Sequence, residues 1–264
     1  MMPFLASLFG AIVGSFLNVV ALRHGARGLG GRSACYSCAR QLRWFELVPV
    51  VSWIALRGRC RTCGSSISIQ YPLVEATTAG TFALIAATPL PPALQLAALL
   101  VAVFSILIAA YDIRHTIIPD QWVVLFSLSA LLYAWIAGAA VLPVMMLLAG
   151  PVIALPFYVL WRVSQGRWMG LGDAKLTLGI GWFLGLLDGV RAIFLSFMLG
   201  ATISIFVLLW LPRLIHALRR GRARVSAPAY TMKSEVPFGP FLLAAMWIVW
   251  LAGAYGYAVP ILNI

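Results

Sequence analysis

The sequence predicts an all-α polytopic membrane protein of about eight transmembrane helices, with one small cysteine-bearing loop subdomain. Three observations predict it. Of the 264 residues, 62% are hydrophobic and 10% are charged, against about 25% charged in a globular domain. Apolar stretches recur along the chain at a length near the roughly 20 residues that a bilayer requires. All but one of the 19 Lys and Arg residues fall in alternate connecting segments, and an excess of these residues marks the cytoplasmic side. The net charge of +12 is thus spread over loops beside a membrane. That pattern fits topology and anionic lipid and argues against a nucleic-acid partner.

The first apolar stretch, 3–22, lacks the positive start of a secretory signal, and its basic residues (Arg23, Arg27, Arg32) follow it. This order predicts a retained helix with its N-terminus outside. It ends in Gly14-Ser15-Phe16-Leu17-Asn18, small and polar residues of the kind that serve helix packing. Residues 23–72 form the one segment large enough for a subdomain. Cys35-x2-Cys38 and Cys60-x2-Cys63 read there as a four-cysteine zinc site. In a reducing cytoplasm stable disulfides are rare, and four thiolates leave a tetrahedral zinc no open position, so the ion is structural; unpaired or redox-active thiols are the alternative. Between the pairs, Leu42 to Trp53 is apolar but broken by Glu46 and Pro49, which suits the membrane interface.

Further apolar stretches lie at 73–88, 93–111, 121–139, 141–161, 174–187, 190–211 and 238–259. Seven helices in place of eight is the main alternative, because 174–187 is short. Glu75, near the start of the second span, fits either the helix dipole or a role near the site. The spans over 121–161 carry no ionisable residue and read as packing helices. Segment 212–237, with Arg219 to Arg224, reads as a loop on the lipid surface and ends with Glu235 before the last span.

The chemistry concentrates in two carboxylates. The chain holds only seven acidic residues, and an ionisable group at membrane depth is a functional hypothesis by default. Asp112 closes the third span; Asp173 follows Gly170-Leu171-Gly172. Each has a plain structural reading, Asp173 and Asp120 as helix caps, Asp112 as a partner of Arg114 or His115. The charge pattern, however, sets Asp112 and Asp173 on one side of the membrane. A helix running from Asp173 to Leu187 covers roughly 22 Å, less than the ~30 Å hydrocarbon core, which sinks Asp173 below the surface. Two neighbouring carboxyls sharing a proton lower the cost of burial and form an acid–base pair able to activate water. Gly170 and Gly172 would let an extended substrate backbone approach closely.

With these motifs the chain resembles the type IV prepilin peptidases. The matching residues are Gly14 to Val20, the two cysteine pairs, Val48 to Trp53, Arg57 to Gly64, and Tyr71 to Glu75. They continue with Asp112 to Asp120, Gly170 to Leu176, and Val236-Pro237-Phe238-Gly239-Pro240. The resemblance implies an intramembrane aspartic endopeptidase with Asp112 and Asp173 as its catalytic pair, in a bacterial inner membrane with the site facing the cytoplasm. Its substrates would be prepilins or pseudopilins with a short basic leader, cut after a glycine. The new N-terminal residue, typically Phe, would then be methylated from S-adenosylmethionine. Members with the cysteine loop are the methylating ones, and Glu46 is the candidate for holding the methyl donor. The organisation expected is a first helix (1–22), a zinc-binding loop subdomain (23–72) and a peptidase core (73–264). Cys-Tyr-Ser-Cys stands where the family usually has Pro after the first cysteine, and the Gly- and Arg-rich tract before Cys35 replaces the usual Arg-Leu-Pro start. The alternatives are a peptidase without methyl transfer, a proton-coupled transporter using the same aspartates, and a noncatalytic scaffold. Transporter sites cluster at the bilayer midplane, whereas these aspartates sit at helix ends.

Overall fold

An apolar segment in a bilayer must satisfy its own backbone hydrogen bonds, and a helix does so within one segment. The computed structural model describes residues 1–25, 30–138, 143–209 and 237–257; the basic tract Arg219 to Arg224 and Glu235 lie outside them. Helix α1 is Met2–Arg23. The loop that follows holds a 3-10 turn at Trp44–Leu47 and the short helix α2, Val51–Ala55. Then come α3 (Gln70–Ala86), α4 (Pro92–His115), α5 (Asp120–Ala137), α6 (Pro143–Ser164), α7 (Leu171–Leu209) and α8 (Gly239–Ala254). Five of these are long and apolar enough to cross a membrane; α8 is a shorter apolar helix, and α3 has 17 residues. The protein is a multi-pass membrane protein. Among the described residues β structure is limited to two isolated bridges.

The 39 residues of α7 are not one rod. Gly185 takes φ 77° and ψ −177°, a conformation open chiefly to glycine. A side chain built on Gly189 would lie 3.7 Å from the Cα of Gly181. Eight residues of straight helix would separate those positions by about 12 Å, so the chain doubles back at Gly185 into two antiparallel helices, 171–184 and 186–209. Eight helical segments therefore stand where the sequence predicts eight spans. The reversal comes earlier than the Asp188-Gly189 break in the apolar pattern, because only Gly185 has the required φ. The first arm, 171–184, is about 21 Å long, as short as expected.

Close approach of α1 to α3 explains the small residues near the first span's end. A Cβ on Gly14 would fall 2.8 Å from the Glu75 Cα, and one on Gly10 would fall 2.8 Å from the Thr78 carbonyl oxygen. This is the small-x3-small packing that membrane helices use. The core lies among α4, α5, α7 and α8, where Ile108, Phe126, Leu176, Ile180, Leu242 and Met246 are fully buried. It clamps the last turn of α4, the first turn of α7 and the start of α8 at one end of the bundle.

Candidate active site and metal centre

Asp112 sits in the last turn of α4 and is buried, 4% exposed. Helix α4 runs past the apolar stretch to His115, where Thr116 in the left-handed region (φ 51°) caps it by donating its N–H to the Asp112 carbonyl at 2.8 Å. Asp112 does not pair with Arg114 or His115, which point outward. Its carboxylate accepts the N–H of Gly239, the first residue of α8. The approach is so close that a Cβ on Gly239 would stand 2.6 Å from Asp112 Oδ2. Gly239 was expected only as part of a family motif. The local signal was a glycine between two prolines at a helix start, which says nothing of what it faces.

Asp173 is the third residue of α7, half-buried, and not its cap. Its carboxylate accepts the Gly170 N–H, while its own N–H donates to the Gly170 carbonyl at 3.3 Å. Asp112 and Asp173 lie near enough to interact electrostatically. Ile118, in the turn after α4, packs against the Gly172 and Gly239 backbones: a Cβ on Gly172 would meet its Cβ at 3.0 Å, and one on Gly239 its Cδ1 at 3.3 Å. Gly172 therefore makes room for Ile118, whereas Gly170 fronts the Asp173 carboxylate: a Cβ built there would stand 3.6 Å from Oδ2. Asp120 is the first residue of α5 and pairs on the surface with Lys175 Nζ at 2.7 Å. Glu75 lies beyond the first turn of α3, out of the range in which a helix dipole acts. It is buried, accepting the Val50 N–H at 2.7 Å and bonding Ser15, so it ties the loop to α3 and α1.

The four cysteines converge. Their sulfurs all lie within 4.8 Å of one another, and Cys35 and Cys63 Sγ stand 3.8 Å apart. Tetrahedral zinc with Zn–S near 2.3 Å implies sulfurs about 3.8 Å apart, so this donor set fits the ion. Each knuckle is closed by one bridge, Ala34 with Gln41 and Arg59 with Ser66. The Ser65 hydroxyl is the main reason the Cys35 thiol falls to about 6, and it lowers Cys63 as well. Cys38 moves up to about 11: the Arg40 N–H favours its thiolate, but lost solvent and hydrogen bonds from the other three cysteines outweigh that. Four thiolates brought this close together would need a cation to offset their charge. Glu46 is buried in the same loop, with Arg40 Nη2 donating to Oε1 at 2.6 Å and the Arg43 N–H to Oε2 at 2.8 Å; these bonds, Arg40 first, hold its carboxyl below the usual range.

Similarity to known proteins agrees with this layout. Residues 8–88 match the bacterial peptidase A24 N-terminal domain and residues 99–205 the type IV leader peptidase family. A prepilin leader peptidase/N-methyltransferase of Aeromonas salmonicida is 32% identical over 84% of this chain and 72% of its own length. The chain belongs to this family. Relatives of the same name in Myxococcus xanthus (36% identical, 76% of this chain and 62% of the relative) and Pseudomonas putida (30%, 96% and 92%) extend the match. No solved structure matches the chain. The family's two matched regions divide the molecule as its chemistry does, the cysteines in one and both aspartates in the other.

Proposed function

We propose that this protein is an intramembrane aspartic endopeptidase that removes the leader of prepilins or pseudopilins after a glycine on the cytoplasmic side. It then methylates the new N-terminal residue. The observation that carries this reading is the meeting of two carboxylates, Asp112 and Asp173, that are 61 positions apart in the chain. In the proposed mechanism the pair shares one proton. The ionised carboxylate takes a proton from water as the water adds to the scissile carbonyl, and the protonated one donates to the carbonyl oxygen. Collapse of the intermediate expels the amine, which leaves with a proton from the pair. The Gly239 N–H fixes Asp112, and Gly170 leaves the front of Asp173 open to an extended backbone.

For the second activity, S-adenosylmethionine would supply an electrophilic methyl group to the freed amine. Glu46 has both oxygens engaged, so we infer that it serves the methyl-donor side by fixing the loop's shape. The cysteine cluster would hold one zinc ion, and the loop would face the cytoplasm of a bacterial inner membrane, with the N-terminus outside. The charge asymmetry supports that orientation. The test is to incubate the purified protein with a prepilin and S-adenosylmethionine and to weigh the products. Leader loss plus one methyl group is the expected result; leader loss alone would leave a peptidase, and an intact substrate would end the reading.

A further inference from the structure

Beside the aspartates, α3, α4 and α8 enclose a groove of about 640 Å³. Its polar end holds Ser68, Gln70 and Arg114, on the side of the bundle where Asp112 sits. Its wall sets the small or hydroxyl-bearing Thr77, Thr81, Ser105, Ala109 and Ala244 among larger apolar chains such as Leu73 and Trp247. Elsewhere the outward faces are built from large apolar chains, such as Phe4, Leu8, Phe9 and Ile12 on α1 and Leu147, Leu148 and Leu155 on α6. Small and hydroxyl-bearing residues mark contacts between membrane helices, where backbones must come close. Gly80, on the same side of α3 as Thr77 and Thr81, has open space where a side chain would stand.

The size also fits a helix. From Gln70 to Thr81 the wall of α3 rises about 16 Å, and a helix about 10 Å across fills roughly twice the groove's volume over that height. A helix would thus be half embedded, its other half facing lipid. Two neighbours in sequence connect the groove to the site: Ile113 follows Asp112, and Pro240 follows Gly239. Asp112 itself does not line the groove, so the chain must leave the groove in extended form to reach it.

We propose that this groove seats the apolar helix of a membrane-anchored prepilin, the part that follows the cut, and so sets where the chain unwinds into the aspartates. This rests on the prepilin reading above. The test compares two substrates of the purified enzyme in lipid nanodiscs: a full-length prepilin and a short peptide spanning only the cleavage site. Ala244→Trp, which fills the groove, should raise the KM of the full-length substrate relative to that of the peptide about tenfold. Leu148→Trp on α6 should leave the ratio at its wild-type value. Should Ala244→Trp fold poorly, a photo-crosslinking residue at Thr77 should still give an adduct with the mass of the prepilin. An unchanged ratio, or adducts only with lipid or with residues 210–236 of this chain, would overturn the groove. Failure of the wild-type enzyme to cut either substrate would instead overturn the prepilin reading.

Discussion

The aspartate site and the cysteine loop face the same end of the bundle but are held in opposite ways. Asp112 and Asp173 owe their meeting to helices packed across a buried core, with α8 arriving more than 120 residues after Asp112 to donate one N–H. The loop is closed by short-range bonds within each knuckle and by the pairing of Glu46 with Arg40 and Arg43. The loop is tied to the helix bundle through α3, where the Glu75 carboxylate accepts the Val50 N–H. The difference predicts that the proposed hydrolytic site is sensitive to shifts of its helices, whereas the loop depends on its own sulfurs.

The sharpest way to break this comparison is at the aspartates. Asp112→Asn or Asp173→Asn should lower cleavage by on the order of 10³-fold or more, since each carboxyl is one half of an acid–base unit whose losses are not additive. Metal content should stay at the wild-type level by elemental analysis. Cleavage by Asp173→Asn at near wild-type rate would contradict the dyad. Next comes Gly239→Ala: its methyl group must displace the Asp112 carboxylate, and a misplacement near 1 Å costs about 10²-fold. The expectation is a fall in kcat with little change in KM.

Cys60→Ser probes the other region. It should abolish stoichiometric zinc and expose the loop to limited proteolysis while a leader peptide is still cut within about tenfold of the wild-type rate, because structural zinc supplies folding energy. A zinc-free loop as resistant as the wild type would show that the sulfurs do not hold it. The smallest effect belongs to Asp120→Asn. An exposed pair such as Asp120–Lys175 contributes about 0–1 kcal/mol, so a thermal melt and the rate of cleavage should barely move; a large loss of activity would place Asp120 within the site.

Much of the site was legible from chemistry that one residue carries alone. Asp112 and Asp173 stood out because a carboxylate at membrane depth demands a reason, and the cysteine spacing announced its own cluster. Gly239 was not legible, since its contribution is a missing Cβ opposite a carboxylate on another helix. Gly172 shows the same limit from the other side. Its small size suggested room for substrate, and that room is filled by Ile118. Glu75, read as a partner of a helix end or of the site, turned out to hold a loop through Val50.

The sequence by itself determined the helical spans, the charge asymmetry, the cysteine cluster and the two carboxylates. Each of these follows from hydropathy, charge or spacing, which are properties of a residue and its near neighbours. The tertiary structure alone decided where α7 reverses, which backbone N–H holds Asp112, and that a groove opens beside it. Those depend on how closely distant helices pack, and that closeness is set by the side chains of both partners at once.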